Sequence, residues 1–190
     1  DRKEQQDRVS LIPHPGRKGL MMAVLADGMG GHTGGAMAAE QVVFKARHTF
    51  DVFAPADESP QQLLGTIINE AHTAILLTRF TSEQDPHSTA CVLLFQPGRV
   101  DWAHCGDSRI YHFRGDQLVS RSYDHSYVNM MLKQGYLTPE QAERHPQKNV
   151  LLGCLGSERE PSIDYGEAAP PQAGDTFLLC SDGLWAYFSD

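Results

Sequence analysis

No stretch of the 190 residues is long and apolar enough to cross a bilayer. The longest apolar runs, such as residues 20–26, stop far short of the roughly 20 residues that a spanning helix needs. A basic excess is missing too: 16 Lys and Arg stand against 24 Asp and Glu, a net charge of −8. Phosphate-neutralising contacts need clustered Lys and Arg, so no nucleic-acid partner and no membrane partner is expected. Residues 1–12 are charged and polar, which excludes a secretory signal within them. The four cysteines (Cys91, Cys105, Cys154 and Cys180) form no Cys-x-x-Cys pair, so a zinc site is not expected. Three of them have apolar neighbours, and buried reduced thiols in a cytoplasmic protein are the expectation. Repeats and low-complexity tracts are absent. The chain starts at Asp1 and stops at Asp190, so it reads as an excised domain or a fragment.

The remaining pattern suits one globular domain with a real core. Residues 7–13 alternate as a strand, with Val9, Leu11 and Pro13 on one face and Arg8, Ser10 and the discordant Ile12 on the other. Residues 20–26 read as a buried strand ending at Asp27. Five glycines in residues 28–35 mark a loop of unusual dihedrals or close backbone approach. Helices are expected over 36–50, with Ala39, Val43, Ala46 and Phe50 as the stripe, and over 59–79, with Leu64, Ile67, Ile68, Ala71 and Ile75. Short strands follow at 89–95, 100–104, 109–113 and 117–120, separated by Pro97-Gly98 and Gly115-Asp116 turns. Short helices are expected at 126–134 and 138–145, and a last strand at 175–180. Strands in runs with two longer helices favour an α+β layered fold.

Two places share one local plan. Val24-Leu25-Ala26-Asp27-Gly28 and Leu178-Leu179-Cys180-Ser181-Asp182-Gly183 each run an apolar strand into Asp-Gly. The strand fixes the carboxylate at a sheet edge, and the glycine lets the chain turn close to whatever the Asp holds. Asp107 also follows an apolar strand, and Asp7 opens the first one. Carboxylates gathered in this way repel one another and raise each other's pKa. Hard divalent cations such as Mg²⁺ and Mn²⁺ relieve that repulsion, and a pair of them can clamp a phosphate.

These residues carry a family resemblance. Asp27-Gly28-Met29-Gly30-Gly31-His32-Thr33-Gly34-Gly35 resembles the metal-binding loop of the bacterial-type, metal-dependent protein serine/threonine phosphatases of type 2C. Arg2 with Asp7, His87-Ser88-Thr89-Ala90, Gly106-Asp107-Ser108-Arg109, Asp124-His125-Ser126 and Ser181-Asp182-Gly183-Leu184-Trp185 follow in the family's order. The resemblance implies a central β-sandwich of two antiparallel sheets flanked by helices, four layers αββα, with the metals at one end. It implies that residues 1–190 are a single phosphatase domain lacking the family's C-terminal strands and last metal-binding Asp.

By the same resemblance, Asp27 bridges two Mn²⁺ or Mg²⁺ ions, and Gly28, Asp182 and Asp7 complete their ligation. Asp107 with Asp182 corresponds to a third, weaker ion seen in some members. Arg2 binds the substrate phosphate, its fork geometry suiting that role. A metal-bridging hydroxide attacks phosphorus directly, with no covalent enzyme intermediate. The implied substrates are phosphorylated Ser/Thr proteins, the counterpart is a cognate Ser/Thr kinase, and a cytoplasmic monomer is expected.

The sequence departs from the family at three points. The chain ends at Asp190, before the family's Asp-Asn pair. Met29 stands where eukaryotic members place a proton-donating His, which leaves His32 or metal-bound water as the donor. Gln5 stands where Asn is usual. The first two departures motivate an alternative: a non-catalytic phosphoprotein-binding or regulatory module on the same scaffold. His125 is expected to cap the helix after it. The segment 126–154 corresponds to the family's variable flap, with Met130, Met131 and Leu132 expected in the core.

Overall fold

A computed structural model describes residues 5–31, 33–81 and 84–188. In chain order the elements are β1 (Arg8–Pro13), β2 (Met21–Ala26), β3 (Gly28–Met29), α1 (Gly34–Asp51), α2 (Pro60–Arg79), β4 (His87–Ser88), β5 (Ala90–Gln96), β6 (Arg99–Cys105), β7 (Arg109–Arg114), β8 (Gln117–Arg121), α3 (Tyr127–Lys133), α4 (Pro139–Glu143), β9 (Asp164–Glu167), β10 (Asp175–Cys180) and α5 (Asp182–Trp185). Five strands form one antiparallel sheet in the order β1-β2-β5-β6-β9, and three form a second in the order β10-β7-β8.

The alternation along β2 shows why its sequence is continuously apolar. Met22, Val24 and Ala26 point into a core shared with α1 and α2, while Ala23 and Leu25 point into a second core. That second core adds Ile110, Phe177 and Leu179 from the three-stranded sheet. A strand covered on both faces has no polar positions to offer. β5 behaves identically, with Val92 and Leu94 toward the helices and Cys91 and Leu93 between the sheets. Antiparallel sheets flanked by helices are thus present as expected. Both long helices lie against the five-stranded sheet.

The expected stripe of α2 is fully buried, and Ser59 caps the helix in a reciprocal box with Gln62. Thr138 and Gln141 form the same box at α4. The first turn of α1 is set by a backbone approach: a Cβ on Gly28 would lie 2.0 Å from the Gly35 carbonyl oxygen. Only glycine allows that contact, which locks the start of α1 against the chain leaving β2.

Three readings change. In β1 it is Ile12 that is buried, at 1% exposure, while Val9 and Leu11 are 74% and 66% exposed. Ile12 points to the helix side of the sheet, and no described residue covers the other face at this edge. The residues Met130, Met131 and Leu132 are not core, since α3 has no buried residue. Ser126, not His125, caps α3, its hydroxyl accepting from the Asn129 N–H, while the His125 ring accepts from the Gly106 N–H. All four cysteines are thiols, and Cys91, Cys105 and Cys180 are buried.

Burial predicts unequal costs along α2. Ile67→Ala should destabilise by about 2–5 kcal/mol in urea unfolding, as large-to-small core changes do. Leu77→Ala, at a position 59% exposed, should stay within about 0.5 kcal/mol.

Candidate metal centre

Strand register gathers the acids. Arg8 pairs with Ala26, Ala90 with Cys105, and Cys180 with Arg109. Asp7 and Asp27 flank the first pair, Asp107 lies in the turn from Cys105 to Arg109, and Asp182 follows Cys180 by two residues. Residues dispersed from 7 to 182 therefore meet at one end of the sandwich. The rigid strands behind them leave the carboxylates little room to separate.

The electrostatic consequence falls on Asp27, which is 7% exposed. Burial pushes its carboxyl from 3.8 up to about 8. The Asp7 charge and a hydrogen bond with the Asp7 carboxyl push the same way, as do the charges of Asp182 and Asp107. Asp27 Oδ1 is buried and meets no hydrogen-bond partner among the described residues. Burial also pushes Asp107 up to about 6, aided by the charges of Asp182 and Asp124.

Neutral groups hold the acids in place. The Asp27 N–H donates to Thr89 Oγ1 (3.0 Å), and the Thr89 N–H donates to the Asp27 carbonyl (2.9 Å). The Ser88 hydroxyl shares its one proton between that carbonyl (3.2 Å) and the Thr89 carbonyl (2.8 Å). Thr89 Oγ1 also meets Ser108 Oγ at 2.7 Å, which ties the Asp27 turn to the Asp107 turn. Ser181 Oγ donates to Asp7 Oδ2 (3.1 Å), and the Gln5 amide reaches the same oxygen at 3.4 Å.

The α5 end is fastened by Trp185. Its indole N–H donates to the Asp107 carbonyl at 2.9 Å, and its ring carries the Arg109 guanidinium at 3.8 Å. Arg109 in turn forks onto Asp124 with two 2.8 Å hydrogen bonds.

The structure brings together Asp7, Asp27, Asp107 and Asp182, with Gly28 next to Asp27 in β3. Arg2, His32 and Asp190 lie outside the described residues. Sequence reasoning did not assign roles to Thr89, Ser108, Ser181, Trp185 or Asp124, although each stands inside a motif it singled out. Their pairings are tertiary and leave no spacing signal. A surface groove of about 680 Å³ beside α2 and Tyr165 is lined by none of the four acids.

A carboxyl with a folded pKa above its unfolded value stabilises the fold while protonated, and that stability is lost as pH rises through the folded value. In chelator-treated protein, Asp27→Asn should therefore melt higher than wild type at pH 8. The gap should close as pH falls toward 4. Thermal melts across that range check it, and a variant less stable than wild type at pH 8 would contradict it.

Comparison with known proteins agrees with this arrangement. The family model described as protein phosphatase 2C matches residues 2–190. The chain is 34% identical over 178 residues to the serine/threonine protein phosphatase PstP of Mycobacterium tuberculosis, covering 90% of this chain and 33% of PstP. It thus spans about a third of the length of that relative. The structure of the S. agalactiae serine/threonine phosphatase superposes with a TM-score of 0.88 at 30% identity, over 100% of this chain and 78% of that one. The PstP catalytic domain in complex with two manganese ions superposes with a TM-score of 0.79 at 30% identity, over 100% of this chain and 76% of that one. The motif order, the gathered acids and the sandwich that gathers them have one common explanation: the chain belongs to the protein phosphatase 2C family.

Proposed function

We propose that this chain carries the catalytic centre of a metal-dependent phosphatase acting on phosphoserine and phosphothreonine in proteins. The observation behind the reading is Asp27: buried, with an unpartnered oxygen, and flanked by three further carboxylates. An all-oxygen, anionic donor set of this kind fits Mg²⁺ or Mn²⁺.

Asp27, Asp7, Asp182 and the Gly28 carbonyl would hold two ions, and Asp107 with Asp182 a third. When bound, the ions supply an acidified water as nucleophile and positive charge against the phosphate oxygens. The chain's own groups do the rest. Thr89 and Ser88 fix the Asp27 backbone, so its carboxylate is oriented before substrate arrives. Ser181 orients Asp7, and Trp185 keeps Asp182 beside Asp107.

Arg2 is assigned to the substrate phosphate on the family resemblance, and protonation of the leaving oxygen would fall to metal-bound water or to His32. Residues 1–190 are proposed as one phosphatase domain to which a further carboxylate of the parent protein contributes. The cognate partner is proposed as a Ser/Thr kinase or its substrates, and the protein as a cytoplasmic monomer. No described helix is long and apolar enough to cross a membrane.

The full-length protein should release phosphate from a phosphothreonine peptide with Mn²⁺ and lose that turnover with EDTA. Asp27→Asn and Asp182→Asn should lower the rate at least about a hundredfold, the loss expected when a group stabilising the transition state is removed. Met29→Ala should change it little, because a thioether donates no proton. Turnover that survives chelation, or phosphopeptide binding without any turnover, would overturn the reading.

A further inference from the structure

A second group of metal-ligating side chains lies beyond the Asp107 turn. His104 on β6 pairs with Asp164 at the start of β9, and His125 stands just before α3. Their donor atoms all lie within 4.8 Å of one another. The His104 and His125 rings are 4.4 Å apart between centroids.

His104 is fully buried. Its Nε2 lies 2.9 Å from the Tyr123 carbonyl oxygen, which can only accept, so Nε2 carries the proton. Nδ1 is left with a lone pair and no hydrogen-bond partner among the described residues. An imidazole anchored to a carbonyl through one nitrogen and bare at the other is the arrangement proteins use for metal ligands. Burial, with the nearby His125 second, lowers the His104 pKa to about 4, which keeps that lone pair available.

His125 Nε2 is buried without a well-aligned hydrogen bond, 3.3 Å from Asp164 Oδ2. The Asp164 side chain is 48% exposed, which leaves an ion an entry path and gives the carboxylate room to close on it.

We propose that His104 Nδ1, His125 Nε2 and Asp164 form a metal site for a divalent transition ion that favours imidazole nitrogen, of the Zn²⁺ class, separate from the four-aspartate centre. Two nitrogens and one carboxylate oxygen leave a fourth position for water. Donor chemistry sorts the ions: the all-oxygen centre suits Mg²⁺ and Mn²⁺, and the imidazole pair suits Zn²⁺. The absence of Cys-x-x-Cys excluded only cysteine-paired zinc. These three ligands come from distant parts of the chain and leave no spacing motif.

Occupancy has a structural consequence. The Gly106 N–H donates to His125 Nδ1 at 3.3 Å. A neutral ring ligating through Nε2 carries its proton on Nδ1, which then opposes that N–H. The ion must therefore release the Gly106 contact, one residue from Asp107.

The test uses the full-length protein with excess Mg²⁺ and added Zn²⁺, read by calorimetry, by diffraction at the zinc edge and by the Gly106 amide resonance. Expected are one zinc equivalent, an anomalous peak beside His104 Nδ1 and a shifted Gly106 amide. Affinity should fall at least about tenfold in Asp164→Asn and rise in Asp164→Cys, since thiolate is a strong zinc ligand. Asp27→Asn should leave this binding unchanged, which separates it from the phosphatase centre. Zinc found only beside Asp27 and Asp182, or equal affinity in wild type and both Asp164 variants, would overturn the proposal.

Discussion

Mutual repulsion among carboxylates at one end of a sandwich is the constraint on which the rest of this structure depends. Asp27 cannot move away from Asp7, because β1 and β2 are paired along their whole length behind them. Asp182 cannot move away from Asp107, because Trp185 bonds the Asp107 carbonyl. Without a counter-ion the remaining remedy is a proton, and burial together with the neighbouring carboxylates pushes the Asp27 carboxyl upward, toward that form. The fold thus holds its acids in a state that a hard cation relieves.

The supporting groups are polar but uncharged where they touch Asp27, and charged only at a distance. The buried Thr89 hydroxyl accepts from the Asp27 N–H and meets the Ser108 hydroxyl, while the Ser88 hydroxyl reaches the Asp27 carbonyl. Arg109 is committed to Asp124 and Trp185. Among the described residues, no cation is hydrogen-bonded to the Asp27 carboxyl. An arginine turned onto Asp27 would satisfy it and remove the reason to bind an ion. At the other end of β10, Asp175 shows the contrast: Arg114, with the Gln172 N–H and His112, holds its carboxyl well below the usual range. That carboxylate is a structural tie between β10 and β7.

Much of this was legible because local and tertiary signals coincide. The α2 stripe, the Ser59 and Thr138 caps and the double-faced β2 are written in spacing and residue type alone. The gathering of the acids was legible too, since Asp27, Asp107 and Asp182 follow recognisable strands and Asp7 opens one. The face of β1 was misread because alternation gives two faces without saying which is inside, and Ile12 outweighs Val9 and Leu11 only once α1 and α2 are in place. The α3 methionines were misread because composition cannot show that this helix packs over no core. The short β3–β4 pair, β9 and the His104–His125–Asp164 group rest on contacts between distant segments.

β1 ends the five-stranded sheet, so its outer backbone edge has no neighbouring strand in that sheet. The same strand carries Val9 and Leu11 in contact with water. Open amide edges and apolar side chains on one strand are a template for pairing with another chain. Pro13, lacking an N–H, and Arg8 blunt the two ends, which confines the sticky stretch to four residues. A preparation of these 190 residues by themselves is on that account prone to self-association at high concentration, along a strand whose first residue adjoins Asp7.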